Sequence, residues 1–139
     1  MKNISELIEN TTILSSIRLN GETAYTTYQS GTTNENFIDY LKNVLTSTLR
    51  EDDIVVMDNM RTHHSKAVKK VIEELNINVF FLPPYSPDFN PIKKMWSKIK
   101  AVLRRIKVRI PSDLTDAVNT AFSLVTQSDC CGWFSAACL

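Results

Sequence analysis

Two short segments of the chain hold the side chains that could do chemistry. Asp58 follows the wholly apolar run IVVM, and His63 lies five positions further along. A carboxylate at the carboxyl end of a buried strand is where α/β proteins place residues that contact ligands. The same residues also fit an ordinary turn and a solvated loop, since Asp-Asn favours turns. His63 and His64 are the only histidines, so the chain offers too few obvious ligands for a zinc site.

The second segment is LPPYSPDFNPIKKMW, from Leu82 to Trp96, a stiff proline-rich loop that leads into a helix. Proline cannot donate to a sheet ladder, so the first two prolines end the preceding strand. Asn90 is predicted to cap the helix and Pro91 to open it. Such a loop can simply connect two elements, but its many conformationally restricted residues favour a role in positioning a side chain.

The helix that begins near Pro91 is basic. Between Asp88 and Asp113 there is no acidic residue, and eight of the sixteen basic residues lie there. Its apolar residues form one stripe on a helical wheel, which is predicted to be core together with Trp96 and Trp133. Because ordinary surface helices mix charge signs, the segregation favours a polyanionic partner such as DNA. The candidate phosphate-binding residues are Lys94, Lys98, Lys100, Arg104, Arg105 and Lys107.

Composition sets the class of protein. With 139 residues, 43% hydrophobic and 22% charged, the chain is predicted to be one globular domain. It has no apolar run of about 20 residues and no apolar signal-peptide core, which predicts a cytoplasmic location. Cys130, Cys131 and Cys138 form neither a disulfide framework nor paired zinc ligands and are interpreted as buried or tail residues.

Strand and helix patterns alternate along the chain. The predicted strands are Thr12 to Leu19 and Glu22 to Gln29, joined by a two-residue Asn20-Gly21 turn, then Ile54 to Met57 and Asn78 to Leu82. The predicted helices run from Asn34 to about Leu49 and from Ser65 to about Leu75. Two more begin at Pro91 and at Pro111 or Ser112, and a last one holds Trp133 and Phe134. The run from Ile54 to Met57 is wholly apolar, and the run from Asn78 to Leu82 is apolar after its first residue, which predicts burial on both faces. This order predicts an α/β sandwich with a mixed sheet.

MDN with His63, then LPPYSPDFNPI and WSKIK, closely resembles the DDE transposases of the mariner superfamily, in particular their bacterial insertion-sequence relatives. The resemblance runs from about Thr12 to Phe134 and includes GTTNENFIDYL. It implies a partial catalytic domain over residues 1–139, with a ribonuclease-H-like mixed sheet flanked by helices. The first, central strand and the amino-terminal helix-turn-helix domain are expected to be lacking. The family's reaction is DNA cleavage and strand transfer by two Mg²⁺ or Mn²⁺ ions held by three carboxylates.

The resemblance assigns roles to individual residues. Asp58 matches the second carboxylate, with Asn59 and His63 as its neighbours. The third acid should follow the NPI triplet, where this chain has Lys93, and no aspartate before Thr12 matches the first acid. A unit positive charge about 4 Å from a divalent ion costs roughly 8 kcal/mol at an effective dielectric of about 20. Asp58 alone is therefore expected to bind metal weakly or not at all.

Three functions remain open at this stage. The first is a catalytically inactive remnant of a domain that acts on insertion-sequence DNA. The second is a non-catalytic DNA-binding or regulatory fragment, and the third is one half of a split transposase whose partner is an upstream fragment. Without the central strand, the edges of the strands at Thr12 and Ile54 are expected to be unpaired, which favours self-association or pairing with another chain.

Overall fold

The computed structural model describes residues 11–29, 33–58, 64–83, 90–106 and 111–137. Asn59, His63, Asp88, Lys107 and Cys138 lie outside these ranges. The elements are β1 (Thr12–Ile17), β2 (Thr23–Tyr28), α1 (Asn34–Asn43), a 3-10 turn (Leu45–Ser47), β3 (Ile54–Met57), α2 (Lys66–Glu74), β4 (Asn78–Phe81), α3 (Ile92–Arg105), α4 (Pro111–Ser123) and α5 (Gln127–Ala136). None of the helices in these ranges has the length and apolar character to cross a membrane.

The hairpin of β1 and β2 closes through three residues, so the predicted two-residue turn is wrong. Ile17 pairs with Thr23, and the Arg18 amide donates to the Glu22 carbonyl at 2.9 Å. Gly21 donates to the Arg18 carbonyl at 3.0 Å and has a φ of 99°. A three-residue hairpin loop needs a left-handed residue at this position, which glycine adopts without a Cβ clash.

Side-chain caps begin the first two helices. Thr33 caps α1, because its Oγ1 accepts from the Asn36 amide at 3.1 Å, so the prediction of Asn34 as the cap is wrong by one residue. The helix also ends earlier than predicted, at Asn43, and the chain continues as the 3-10 turn. Ser65 caps α2 as predicted, accepting from the Val68 amide at 3.2 Å.

The strands form two ladders, an antiparallel β1–β2 pair and a parallel β3–β4 pair. Both pairings of a mixed sheet are therefore present, but no ladder joins β1 to β3 within the described ranges. The Arg18 guanidinium, just after β1, pairs with the Asp53 carboxylate, just before β3, and also donates to the Thr48 carbonyl at 3.2 Å. The end of β1 thus lies near the beginning of β3.

Two apolar clusters lie on opposite sides of β1. Ile13 and Ile17 pack against a cluster built by α3 and α4, whereas Leu14 packs against one built by α1, α2 and the β3–β4 ladder. The predicted stripe of α3 is confirmed as core, since its fully or nearly fully buried residues are Met95, Ile99, Val102 and Leu103. Trp96 and Trp133 pack against the same cluster, which confirms their interpretation as core residues.

The β3–β4 ladder is buried on one face only, so the prediction of burial on both faces is wrong. Val55 and Val79 pack against the cluster of α1 and α2. Ile54 and Phe80 point the other way and are 66% and 56% exposed. An apolar run predicts that a strand can be covered on both faces, but whether a second layer covers it depends on the tertiary fold.

Candidate functional site

Asp58 lies at the carboxyl edge of the parallel ladder. The Met57 carbonyl accepts from the Leu82 amide at 2.8 Å, so the β3–β4 pairing holds the chain up to the residue before Asp58. The Asp58 side chain is 32% exposed. The position matches the expectation that this carboxylate stands where α/β sheets contact ligands.

Lys93 belongs to the first turn of α3. Its amide donates to the Asn90 carbonyl at 3.2 Å. Asn90 is itself buried, and its Oδ1 accepts from the Ile92 amide at 3.2 Å. The N-cap position is Pro91, one residue later than predicted, but Asn90 still accepts from amides that the helix start leaves without intrahelical partners. This anchored turn holds Lys93 beside the end of β3.

The structure brings Asp58 and Lys93 together as an ion pair. Lys93 Nζ lies 3.7 Å from Asp58 Oδ2, and the lysine side chain is 51% exposed. Partly exposed pairs contribute about 0–1 kcal/mol to stability, because water screens them and two side chains must be ordered. The main consequence of the pair is therefore electrostatic, because a positive charge occupies the space next to the Asp58 carboxylate.

These side chains do not fit a divalent metal. Mg²⁺ and Mn²⁺ take oxygen ligands, whereas an ammonium has three donors and no lone pair to offer. Among the described residues, no group of three or more histidine, cysteine, aspartate and glutamate side chains is placed to hold a metal ion. Asn59 and His63, the predicted neighbours of Asp58, lie outside the described ranges. His64 is described, and its ring packs 4.2 Å from the Phe81 ring.

The basic residues of α3 divide into exposed and engaged groups. Those that are exposed to solvent are Lys93, Lys94, Lys100, Arg104 and Arg105. Three of them, Lys93, Lys100 and Arg104, fall within about 40° of one line on the helical wheel, and about 16 Å of helix separates the first from the last at 1.5 Å per residue. A row of cations thus runs along the helix from the Asp58 site.

Lys98 has structural partners instead. Its ammonium donates to the Leu124 carbonyl at 2.6 Å and pairs with the Asp129 carboxylate. The bond from Lys98, followed by one from the Thr126 amide, holds the pKa of Asp129 below its usual value. Thr126 and Asp129 also form the capping box of α5, so Lys98 ties α3 to the junction of α4 and α5.

Sequence reasoning missed the second ion pair of the region, between Arg18 and Asp53. The hydrogen bond from Arg18, with that from the Arg50 amide, lowers the pKa of Asp53 from 3.8 to about 2. No local pattern indicates this pair, because its two residues are thirty-five positions apart and meet only once β1 and β3 are placed.

The described elements define a ribonuclease-H-like domain. They comprise an antiparallel hairpin, a parallel β–α–β unit and helices on two sides, and a carboxylate stands at the carboxyl edge with the start of a helix against it. The catalytic domain of Mos1 mariner transposase has a similar structure, with a TM-score of 0.66 and 15% identity over 90% of this chain and 74% of that chain. The Mos1 transposase catalytic domain with raltegravir and magnesium gives a TM-score of 0.67 and 16% identity over 95% and 82% of the two chains. The predicted fold is confirmed.

The sequence match is to the family described as DDE superfamily endonuclease, over residues 4–115, and the chain belongs to this family. No curated protein sequence matches the chain. The interpretation drawn from Asp58 and the proline-rich segment is therefore confirmed at the level of the family.

Proposed function

We propose that this chain is a transposase-derived DDE domain that binds insertion-sequence DNA and does not cut it. The observation that carries the proposal is the Lys93 ammonium 3.7 Å from the Asp58 carboxylate. In the DDE pattern that position belongs to a metal-binding acid. Lys93 removes a ligand and adds a repulsive charge, so neither Mg²⁺ nor Mn²⁺ is expected to be bound productively.

Cleavage is tested with supercoiled plasmid incubated with the full chain and Mg²⁺ or Mn²⁺. The expected result is no nicked circle beyond that formed with the metal alone, and no difference between wild type and Asp58→Ala. Nicking by the wild type that disappears in Asp58→Ala would show a working metal site and overturn the proposal. The aspartate variant separates this outcome from a contaminating nuclease.

A non-catalytic DNA-binding or regulatory role is favoured by the exposed cations of α3. Lys94, Lys100 and Arg104 are exposed, and no acidic residue interrupts them from Asp88 to Asp113. Each phosphate neutralised by a lysine or arginine releases counterions, so binding weakens steeply with salt. Because this surface does not depend on a metal, the loss of cleavage leaves it intact.

The DNA-binding role is tested by anisotropy of a labelled duplex over a series of salt concentrations. Replacing Lys94, Lys100 and Arg104 by alanine is expected to reduce the slope of log K against log salt by about 2.7, since each phosphate contact contributes about 0.9. The matched control replaces Lys66, Lys69 and Lys70 of α2, which are equally exposed. Equal reductions of this slope in both triple variants would show that binding follows overall charge and would refute an α3 site.

A split transposase is the third arrangement, with an upstream fragment supplying the first strand and first acid. Lys93 counts against it, because the assembled protein would still lack the third acid. Adding such a fragment to the Lys93→Glu variant is expected to restore metal-dependent nicking only if the site is otherwise intact. Continued inactivity of that combination would reject a split enzyme.

A further inference from the structure

Lys93 is the member of the α3 cation row that lies at the Asp58 site. Its ammonium is 3.7 Å from Asp58 Oδ2, and its side chain is 51% exposed. A hydrogen bond between an ammonium and a carboxylate spans about 2.7–2.9 Å, so the two groups form an ion pair without a hydrogen bond. Within the described ranges, no other side chain pairs with the Lys93 ammonium. Its three donors therefore remain available to a ligand that arrives from solvent.

Lys98 of the same helix shows the contrast with an engaged lysine. Its ammonium donates to the Leu124 carbonyl at 2.6 Å and pairs with the Asp129 carboxylate, and its side chain is 31% exposed. Both partners belong to the protein, so the charge of Lys98 is used to hold α3 against the junction of α4 and α5. Lys93 has a single, longer contact and a more exposed side chain, so its charge is directed towards solvent.

Lys93 is aligned with two further exposed cations. Lys100 and Arg104 lie within about 40° of the same line on the helical wheel, and the three residues span about 16 Å of helix. The phosphates of one DNA strand follow at about 3.4 Å of helix axis per nucleotide, so this length corresponds to about five nucleotides. No acidic residue of α3 interrupts the row. A strand held by Lys100 and Arg104 that follows the row therefore reaches Lys93.

The Asp58 carboxylate weakens a phosphate contact at Lys93 without preventing it. A phosphate oxygen that approaches the ammonium from solvent would lie about 3 Å from the nitrogen and about 6–7 Å from the carboxylate behind it. Because Coulomb energy varies inversely with distance, the attraction is about twice the repulsion. Removing the charge of Asp58 should then strengthen DNA binding, which is the opposite of the effect expected for an aspartate that binds DNA through a metal ion.

We propose that the Lys93 ammonium binds a backbone phosphate of DNA directly, so that a strand held by α3 continues across the Asp58 site without a metal ion. The inference rests on the proposed function, because it takes DNA binding by α3 as given. It assigns Lys93 a positive role as a residue that contacts DNA, in addition to its exclusion of a metal. The positive charge at this position belongs to the protein itself, so the contact is independent of metal concentration.

The first test is the salt dependence of DNA binding by Lys93→Gln, measured with the full chain by anisotropy of a labelled duplex in EDTA. The slope of log K against log salt should fall by about 0.9, the contribution of one phosphate contact, which corresponds to an about eightfold loss of affinity at about 0.1 M salt. Lys93→Arg should keep the wild-type slope. Lys66→Gln is the matched control and should also keep it, since Lys66 is an exposed lysine in the first turn of α2.

Two further measurements separate a direct contact from a general effect of charge. Bound DNA should slow acetylation of the Lys93 ammonium several-fold, as read by mass spectrometry, and leave the reactivity of Lys66 unchanged. Asp58→Asn should tighten DNA binding about twofold in EDTA, because the screened repulsion of one phosphate at about 6–7 Å is removed. Weaker binding by Asp58→Asn would contradict the proposed arrangement of the three charges.

An unchanged salt slope in Lys93→Gln, or equal changes in Lys93→Gln and Lys66→Gln, would overturn the inference and leave DNA binding itself standing. A slope that responds to Lys93→Gln only when Mg²⁺ or Mn²⁺ is added would show that a metal ion holds the phosphate, and would also overturn it. Absence of DNA binding by the wild type at low salt would refute the proposed DNA-binding role and this inference together, so the two failures are distinguishable.

Discussion

Replacing Lys93 by glutamate reverses the charge 3.7 Å from the Asp58 carboxylate. We expect this single change to create a divalent-metal site, since the wild type is proposed to bind no metal productively. Lys93→Gln separates two effects, since it removes the positive charge without adding a metal ligand. Lys94→Glu is the matched control, because it makes the same change in net charge about 100° around the helix.

The size of the expected change in metal affinity follows from the half-exposed position of Lys93. A unit charge about 4 Å from a divalent ion contributes about 2 kcal/mol at the dielectric of water, which suits an exposed ammonium better than an interior value. With a Debye length of about 8 Å at physiological salt, about 1.3 kcal/mol remains. Lys93→Gln should therefore tighten Mn²⁺ binding about tenfold and Lys93→Glu about 100-fold, before any ligand bond is counted.

Free Mn²⁺ measured by electron paramagnetic resonance gives the affinity directly. A second readout is thermal unfolding. Without metal, two carboxylates at this spacing repel, so Lys93→Glu should unfold at a lower temperature than Lys93→Gln. Added Mn²⁺ should raise the unfolding temperature of the glutamate variant and leave that of the wild type unchanged, because binding to the folded state alone stabilises it.

Two results would refute the reasoning. One is a Mn²⁺ affinity of Lys93→Glu within about twofold of the wild type, which would mean that the ammonium is not what prevents binding. The other is tight binding that survives Asp58→Asn in the glutamate variant, or that Lys94→Glu reproduces. Either would place the metal elsewhere on the protein.

Three further predictions concern stability. Asp53→Asn should flatten the dependence of the urea midpoint on pH. The low pKa of Asp53, about 2, stabilises the folded state above pH 4, and this stabilisation is lost as pH falls towards 2, so the wild type should weaken more than the variant through that window. Phe122→Ala should lower the free energy of unfolding in urea by about 3–5 kcal/mol, because the buried ring stacks on Tyr25 at 3.9 Å. The control Leu124→Ala, at an exposed position, should lower it by less than about 0.5 kcal/mol, and similar losses in both variants would contradict the packing. Lys98→Ala should lower the free energy of unfolding by about 1 kcal/mol, because its bonds to Leu124 and Asp129 are lost, and should leave the salt slope of DNA binding unchanged. Lys100→Ala should change the salt slope and leave the free energy of unfolding unchanged.

Local patterns predicted the elements because each has a local physical cause. The bounds of β3 follow from a short apolar run between polar residues, and Ser65 caps α2 because its hydroxyl reaches the Val68 amide. Errors arose where two neighbouring residues were equally suitable. Thr33 and Asn34 are both good caps, and only the backbone conformation decides between them. Gly21 similarly allows more than one hairpin loop.

Contacts between distant segments could not be read from local pattern. The ion pairs of Arg18 with Asp53 and of Lys98 with Asp129 join residues more than thirty positions apart, so each depends on how strands and helices are placed. For the same reason, local pattern places Lys98 among the exposed cations of α3, whereas the folded chain engages it with Leu124 and Asp129. The approach of Lys93 to Asp58 is predicted by the family resemblance and not by spacing alone.

The interactions that position Lys93 and Asp58 do not depend on the charged group of Lys93. Lys93 is held in place by the Asn90 turn and by the burial of Met95, and Asp58 by the β3–β4 ladder. None of these interactions involves the Lys93 ammonium, so exchange of an acid for a lysine leaves the backbone geometry of the site unchanged. The exposed cations of α3 depend on the same helix and on no metal. Under the proposed function, loss of one carboxylate is expected to remove the means of cleavage while the surface proposed to hold DNA stays in place, and the two activities can be tested independently.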